Sequence, residues 1–170
     1  MRELGSAPVP EPGPDDHVRG PAGGPVLVQY ADFECPFCAT LSVCLGESGT
    51  RRVFRHFPVR SSHPRAWAAA CAAEAAALQG AFWPMHDAMF ADQSRLEDPH
   101  LWQHARELEL DLAQFDAQRR SDTVKARVSR DFESGLRAGV VTTPTLFVGG
   151  EMHAGRLAAA TLKRLAESAA

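Results

Sequence analysis

The sequence predicts an α/β fold that runs β-α-β, continues through a long all-helical stretch and returns as β-β-α. Three observations carry this reading. Two short β-favouring runs, Val26-Leu27-Val28-Gln29-Tyr30 and Arg52-Val53-Phe54-Arg55-His56-Phe57, flank a segment whose apolar residues recur at helical spacing. Residues 61–139 then carry one helix start signal after another. Finally, Thr145-Leu146-Phe147-Val148 and Glu151-Met152-His153 are joined by Gly149-Gly150, a two-residue hairpin signal in which glycine supplies positive φ without steric cost.

In chain order, the first 25 residues hold six prolines and five glycines with no periodic apolar pattern, so residues 1–24 read as a flexible tail outside the fold. The first strand leads into Cys35, after which Cys38, Leu41 and Leu45 mark the buried side of a helix ended by Gly46 and Gly49. The second strand stops at Pro58. Residues 25–60 thus form one half of a domain and residues 140–170 the other, with residues 61–139 as a helical insertion. Within the insertion, Ser62 and Pro64 precede the alanine-rich stretch Ala66–Ala77. Asp98 before Pro99 opens another helix, and Asp111 with Gln114 resembles a capping box. Val124, Val128, Phe132 and Leu136 step by four along one expected buried stripe, closed by Gly139. A last helix is expected over Leu157–Ala166, with Leu157, Leu162 and Leu165 facing the core.

Composition narrows the function. With 45% hydrophobic and 23% charged residues, 170 residues suffice for a folded core. A formal net charge of -3 leaves no basic surplus for nucleic acid or anionic lipid, so neither is an expected partner. No apolar run suits membrane insertion, and residues 1–25 lack the apolar core of a signal peptide. The expected address is cytoplasmic, unless an export signal has been removed. Four cysteines are too few for a disulfide scaffold, and two stand as Cys35-Pro36-Phe37-Cys38.

Cysteines three apart at a helix start lie on one face of its first turn, within reach of a disulfide. The helix N-terminus favours the thiolate of Cys35, the expected nucleophile, while Cys38 sits in the apolar stripe and would act second to resolve a mixed disulfide. Pro36 suits the first helical position. Half of a zinc site would need two further ligands, but no second C-x-x-C exists and Cys44 lies about 180° around the helix from Cys35. No metal and no organic cofactor are expected.

The chain resembles the DsbA-like branch of thioredoxin-fold proteins, in a compact bacterial form also found fused to sodium/proton antiporters. The resemblance spans about Asp16 to Leu165. It rests on Asp16-His17-Val18-Arg19-Gly20, on Tyr30 through Cys38, on Phe54-Arg55-His56-Phe57-Pro58, on Gln79-Gly80-Ala81-Phe82-Trp83 with Met85-His86-Asp87, and on Thr142-Thr143-Pro144-Thr145. It implies a thioredoxin-like fold with an all-helical insertion between the βαβ and ββα halves. It further implies a cis bond at Thr143-Pro144 packed beside the cysteines, where the Thr143 backbone, Pro144, Pro36 and Phe37 would meet an extended substrate chain. Thioredoxins carry a buried acid six residues before the first cysteine, a position held here by Gln29. Glu34 or water would have to take the proton instead.

Cys44 and Cys71 read as small core residues. His56, His63 and His86 are of a type that could tune the thiolate or bind metal, but they stand on separate segments without ligand spacing and read as structural or exposed groups rather than pH switches. Trp67, Trp83 and Trp102 read as packing anchors of the helical block. The implied activity is protein-disulfide oxidoreduction on cysteine-containing polypeptides, with a redox partner recycling the pair. Its direction depends on the potential of the pair: the resemblance favours oxidation, a cytoplasmic address reduction. The rival is a non-catalytic redox-responsive binding or regulatory module.

Overall fold

A computed structural model of the chain describes residues 7–23 and 25–168. Five strands, β1 (His17–Arg19), β2 (Leu27–Ala31), β3 (Arg52–His56), β4 (Thr145–Val148) and β5 (Glu151–Ala154), form one sheet in the order β1-β3-β2-β4-β5. β2 and β3 run parallel, joined by α1 (Pro36–Ser48) as a crossover, and the other neighbours are antiparallel. β2 and β3 are buried on both faces, so their apolar runs are nearly continuous.

One face carries α1 and α7 (Ala159–Ser168), where Leu27 and Leu146 meet Leu41, Leu45, Leu162 and Leu165. The other face meets α6 (Asp122–Arg137). There Gly135 lets the helix approach closely, since a Cβ would lie 2.7 Å from the Phe57 ring and 3.0 Å from Tyr30. Between β3 and α6 in sequence come α2 (Ala66–Ala77), α3 (Phe82–Ala91), α4 (Asp98–Glu107) and α5 (Leu112–Arg119). α2 is the hub of this block, packed by helices on several sides, and its alanines allow close contact all round. Phe33 and Phe54 join the block to the sheet by packing with Phe82, Met85, Met89 and Phe90.

The reading of residues 1–24 as a tail outside the fold is corrected for Pro10–Arg19, while its residues 1–6 and 24 lie outside the described residues. His17–Arg19 pairs antiparallel with β3 as an edge strand, and Arg55 binds Asp16 through Nε at 3.0 Å and a terminal nitrogen at 2.8 Å while bonding the carbonyls of Pro10 and Glu11. Backbone pairing and a buried ion pair hold a segment that has few apolar residues to bury, which an argument from hydrophobic pattern cannot register. Two further corrections concern helices. Leu136 is 52% exposed, because a four-residue step drifts about 40° per repeat on a 3.6-residue helix; Asp131, Ser134 and Gly135 take the buried side instead. α7 begins at Ala159 rather than Leu157, and Gly46 lies inside α1, which ends at Gly49 in the left-handed region. Gly149 and Gly150 both have positive φ, at 56° and 84°, as the hairpin requires.

Candidate active site

Strand β2 delivers the chain to the N-terminus of α1, where Cys35 is the N-cap residue and Pro36 opens the first turn. The turn is held by its own backbone and by one side chain from outside it. The Cys35 N–H donates to the Asp32 carbonyl at 3.1 Å, and the Gln93 side-chain amide donates to the carbonyls of Phe33 (2.8 Å) and Cys35 (2.9 Å). Nothing in the sequence motif points to Gln93, which arrives from the loop after α3.

Thr143–Pro144 lies across from this turn, with a cis peptide bond, and the Cys35 sulfur lies 3.4 Å from the Thr143 carbonyl, to which its S–H donates. Residues 108 positions apart therefore share one site. The Pro144 carbonyl accepts from Gly155 N–H at 2.8 Å, which couples this turn to the end of β5. Pro36 and Phe37 are exposed beside it. A groove of about 380 Å³ runs between Phe37, Leu41, Pro144, Arg156 and Leu162, and the Arg156 guanidinium stands 5.7 Å from the Phe37 ring centre.

The two thiols have opposite electrostatics. A hydrogen bond from Cys38, opposed by burial and reinforced by the Thr143 side chain and the N–H groups of Cys38 and Phe37, lowers Cys35 from 9.0 to about 6. Cys38 is fully buried, and burial first, then its bond to Cys35 and the charges of Cys35 and Asp32, push its thiol well above the ordinary value.

Glu34 is committed elsewhere. Its carboxylate accepts the Arg65 N–H at 2.8 Å and Arg65 Nε at 2.9 Å, and among the described residues it makes no hydrogen bond to a thiol. The acid whose charge acts on Cys38 is Asp32, 1% exposed: Oδ1 accepts the Glu34 N–H, and Oδ2 accepts the Val59 N–H and lies 2.8 Å from His63 Nδ1. His63 retains 24% side-chain exposure and so links this buried acid to solvent. Gln29 is fully buried between Leu27 and Ala31 on β2, and its amide has no hydrogen-bond partner among the described residues. The sequence reading passes over Asp32, although it stands three residues before Cys35, and takes His63 for a structural or exposed group.

The remaining sequence candidates sit outside the site. Cys71 is buried in the packing of α2 against α6, and burial raises its thiol to about 11; Cys44 is only partly buried, against α7. His86 is buried, with Nδ1 2.8 Å from Asp87, and burial lowers it to about 4. Trp83 holds β1 rather than the helical block alone: its indole N–H donates to the Val18 carbonyl at 3.1 Å, and Arg19 stacks 4.3 Å from its ring centre. His56 meets His17 at Glu74, a convergence that the separation of these residues in sequence conceals.

Comparison with known proteins agrees with this architecture. A family model described as thioredoxin matches residues 13–168. The sodium/proton antiporter NhaA 3 of Salinispora tropica is 43% identical over 146 residues, which cover 82% of this chain and 22% of that protein. NhaA 1 of Mycolicibacterium gilvum is 43% identical over 162 residues, 90% of this chain and 26% of that protein. The chain thus spans about a quarter of the length of these curated relatives. Among solved structures, a thioredoxin-like oxidoreductase from Silicibacter pomeroyi superposes with a TM-score of 0.81 at 24% identity, over 91% of this chain and 92% of that one. The thiol-disulfide exchange protein alpha-DsbA2 of Wolbachia pipientis gives 0.78 at 16% identity, over 89% and 86%. With a family match across nearly all its length and the cysteine pair and proline turn facing each other, this chain belongs to the thioredoxin family, with the fold shared by DsbA-like proteins.

Proposed function

We propose that this chain is a thiol-disulfide oxidoreductase acting on cysteine-containing polypeptides. The observation that carries the reading is the asymmetry of the pair: a Cys35 thiol at about 6 at a helix N-terminus beside a fully buried Cys38 pushed the other way. In the reducing direction, the Cys35 thiolate attacks a substrate disulfide, one Cys35–substrate S–S bond forms and one substrate thiolate leaves. Cys38 then loses its proton and attacks the Cys35 sulfur, so that the second substrate thiolate departs and the Cys35–Cys38 disulfide remains. Oxidation of a substrate dithiol is the same path reversed. Stabilising the Cys35 thiolate stabilises the reduced enzyme and favours the oxidising direction, with a redox partner restoring the disulfide.

Cys38 needs a proton acceptor in this cycle, and Asp32 serves, passing the proton to solvent through His63. The extended substrate segment lies in the groove beside Phe37 and Pro144, along the Thr142–Thr143 backbone. A second reading, a redox-responsive regulatory module, draws on the likeness to antiporters named above. Turnover separates them. With reduced, unfolded substrate protein and oxidised glutathione as the recycling oxidant, an enzyme forms many substrate disulfides per molecule, whereas a module stops after one.

A further inference from the structure

We propose that His17, His56 and Glu74 form a binding site for one divalent transition-metal cation, with zinc the favoured ion. The residues come from β1, β3 and α2, and one ligand atom from each lies within 4.8 Å of the others. Both imidazoles point Nε2 at the same carboxylate oxygen, each at 2.6 Å. Their rings stand 6.4 Å apart and nearly perpendicular, at 78°, so the nitrogens converge on a point instead of stacking past each other.

The surroundings fix this geometry. The His17 ring stacks on Phe82 with centres 3.6 Å apart, while His56 is 1% exposed with its ring against Phe33, Phe54 and Phe82. Glu74 is buried, and among the described residues no lysine or arginine pairs with it. A buried carboxylate faced by two imidazoles and by no lysine or arginine is a nitrogen and oxygen donor set that a dication complements. Two histidines and one carboxylate are nitrogen and oxygen ligands of the kind zinc takes, and the 15% exposure of the His17 side chain leaves an entry path from solvent.

Zinc bonds of roughly 2.0–2.2 Å in a tetrahedron place ligand atoms about 3.3 Å apart, so the present contacts need to open by less than about 1 Å. Two metal–nitrogen bonds and one metal–oxygen bond replace the N–H···O contacts. Each neutral imidazole shifts its proton from Nε2 to Nδ1, and a protonated one releases a proton to solvent. The bound ion would clamp β1 to β3 and α2, with no part in thiol exchange.

The test uses the full chain, stripped with chelator and oxidised so that Cys35 and Cys38 are a disulfide and cannot bind metal as thiolates. Titration with zinc alone should show one equivalent bound and a raised Tm, and cobalt should give a tetrahedral spectrum without a sulfur charge-transfer band. His17→Gln, at a partly exposed position, should weaken zinc at least roughly tenfold, a loss that even outer-shell changes can cause. Glu74→Gln should do the same, with circular dichroism confirming that each variant is folded. Absence of binding by the oxidised chain, unchanged affinity in folded His17→Gln, or a cobalt signal from sulfur that vanishes on oxidation would overturn the site.

Discussion

The thiol site and the N-terminal segment are held to the fold in different ways. Around Cys35 several groups share the work: the Asp32 carbonyl accepts the Cys35 N–H, the Gln93 side chain grips the Phe33 and Cys35 carbonyls, the Asp32 carboxylate holds the Glu34 and Val59 N–H groups, and the Thr143 carbonyl lies opposite. Around β1, pairing with β3 is joined by one charged side chain that carries much of the load, with Arg55 spread over Asp16, Pro10, Glu11 and Tyr30. Anchoring by several groups, none of them a thiol, leaves the cysteines free to react without disturbing the fold. Anchoring through one arginine makes the N-terminal segment dependent on a single residue.

The contrast is sharpest for substitutions. Cys35→Ser should abolish exchange down to the uncatalysed rate while leaving the unfolding transition in urea nearly where it was, and Cys38→Ser should accumulate a mixed disulfide on Cys35 visible by mass spectrometry. Arg55→Ala should do the opposite, sparing the chemistry of molecules that remain folded but costing about 3–5 kcal/mol in urea unfolding, because it leaves Asp16 buried without its partner. Asp15→Ala removes only an exposed pair with Arg130 and should cost less than about 1 kcal/mol.

Smaller effects test how the buried thiol loses its proton. Asp32→Asn should slow release of the mixed disulfide by about 10²-fold, as loss of a general base does, with attack by Cys35 on substrate much less affected; stopped-flow separation of the two steps checks this. If both steps slow equally, Asp32 supports the turn and does not accept the proton. Smallest of all, Cys71→Ala should retain full turnover and lose about 1 kcal/mol in urea unfolding for the void it leaves.

The sequence made the thiol site legible because its signals are local or family-wide: a C-x-x-C at a helix start, and Thr143-Pro144 before a Gly-Gly hairpin. The parallel crossover and the alanine-rich α2 were legible from periodicity for the same reason. What escaped depends on contacts between distant polar residues. Arg55 with Asp16, Asp32 with His63, and His17 and His56 with Glu74 are spaced irregularly along the chain and follow no repeat. A pattern of apolar spacing places faces against a core, but it holds no information on which buried charges meet. Leu136 shows the finer failure, since a step of four drifts off the buried face over three repeats.

The proposed division of two chemically identical thiols into a nucleophile and a resolver rests on the hydrogen bond from Cys38 to Cys35 and on the burial of Cys38. It is tested most directly by following alkylation of the reduced protein against pH, residue by residue, by mass spectrometry. Thiolate forms as pH rises through the folded value, so Cys35 should become reactive with a midpoint about 6, while Cys38 stays unmodified through pH 9. Equal midpoints near the ordinary thiol value, or modification of Cys38 before Cys35, would contradict the account.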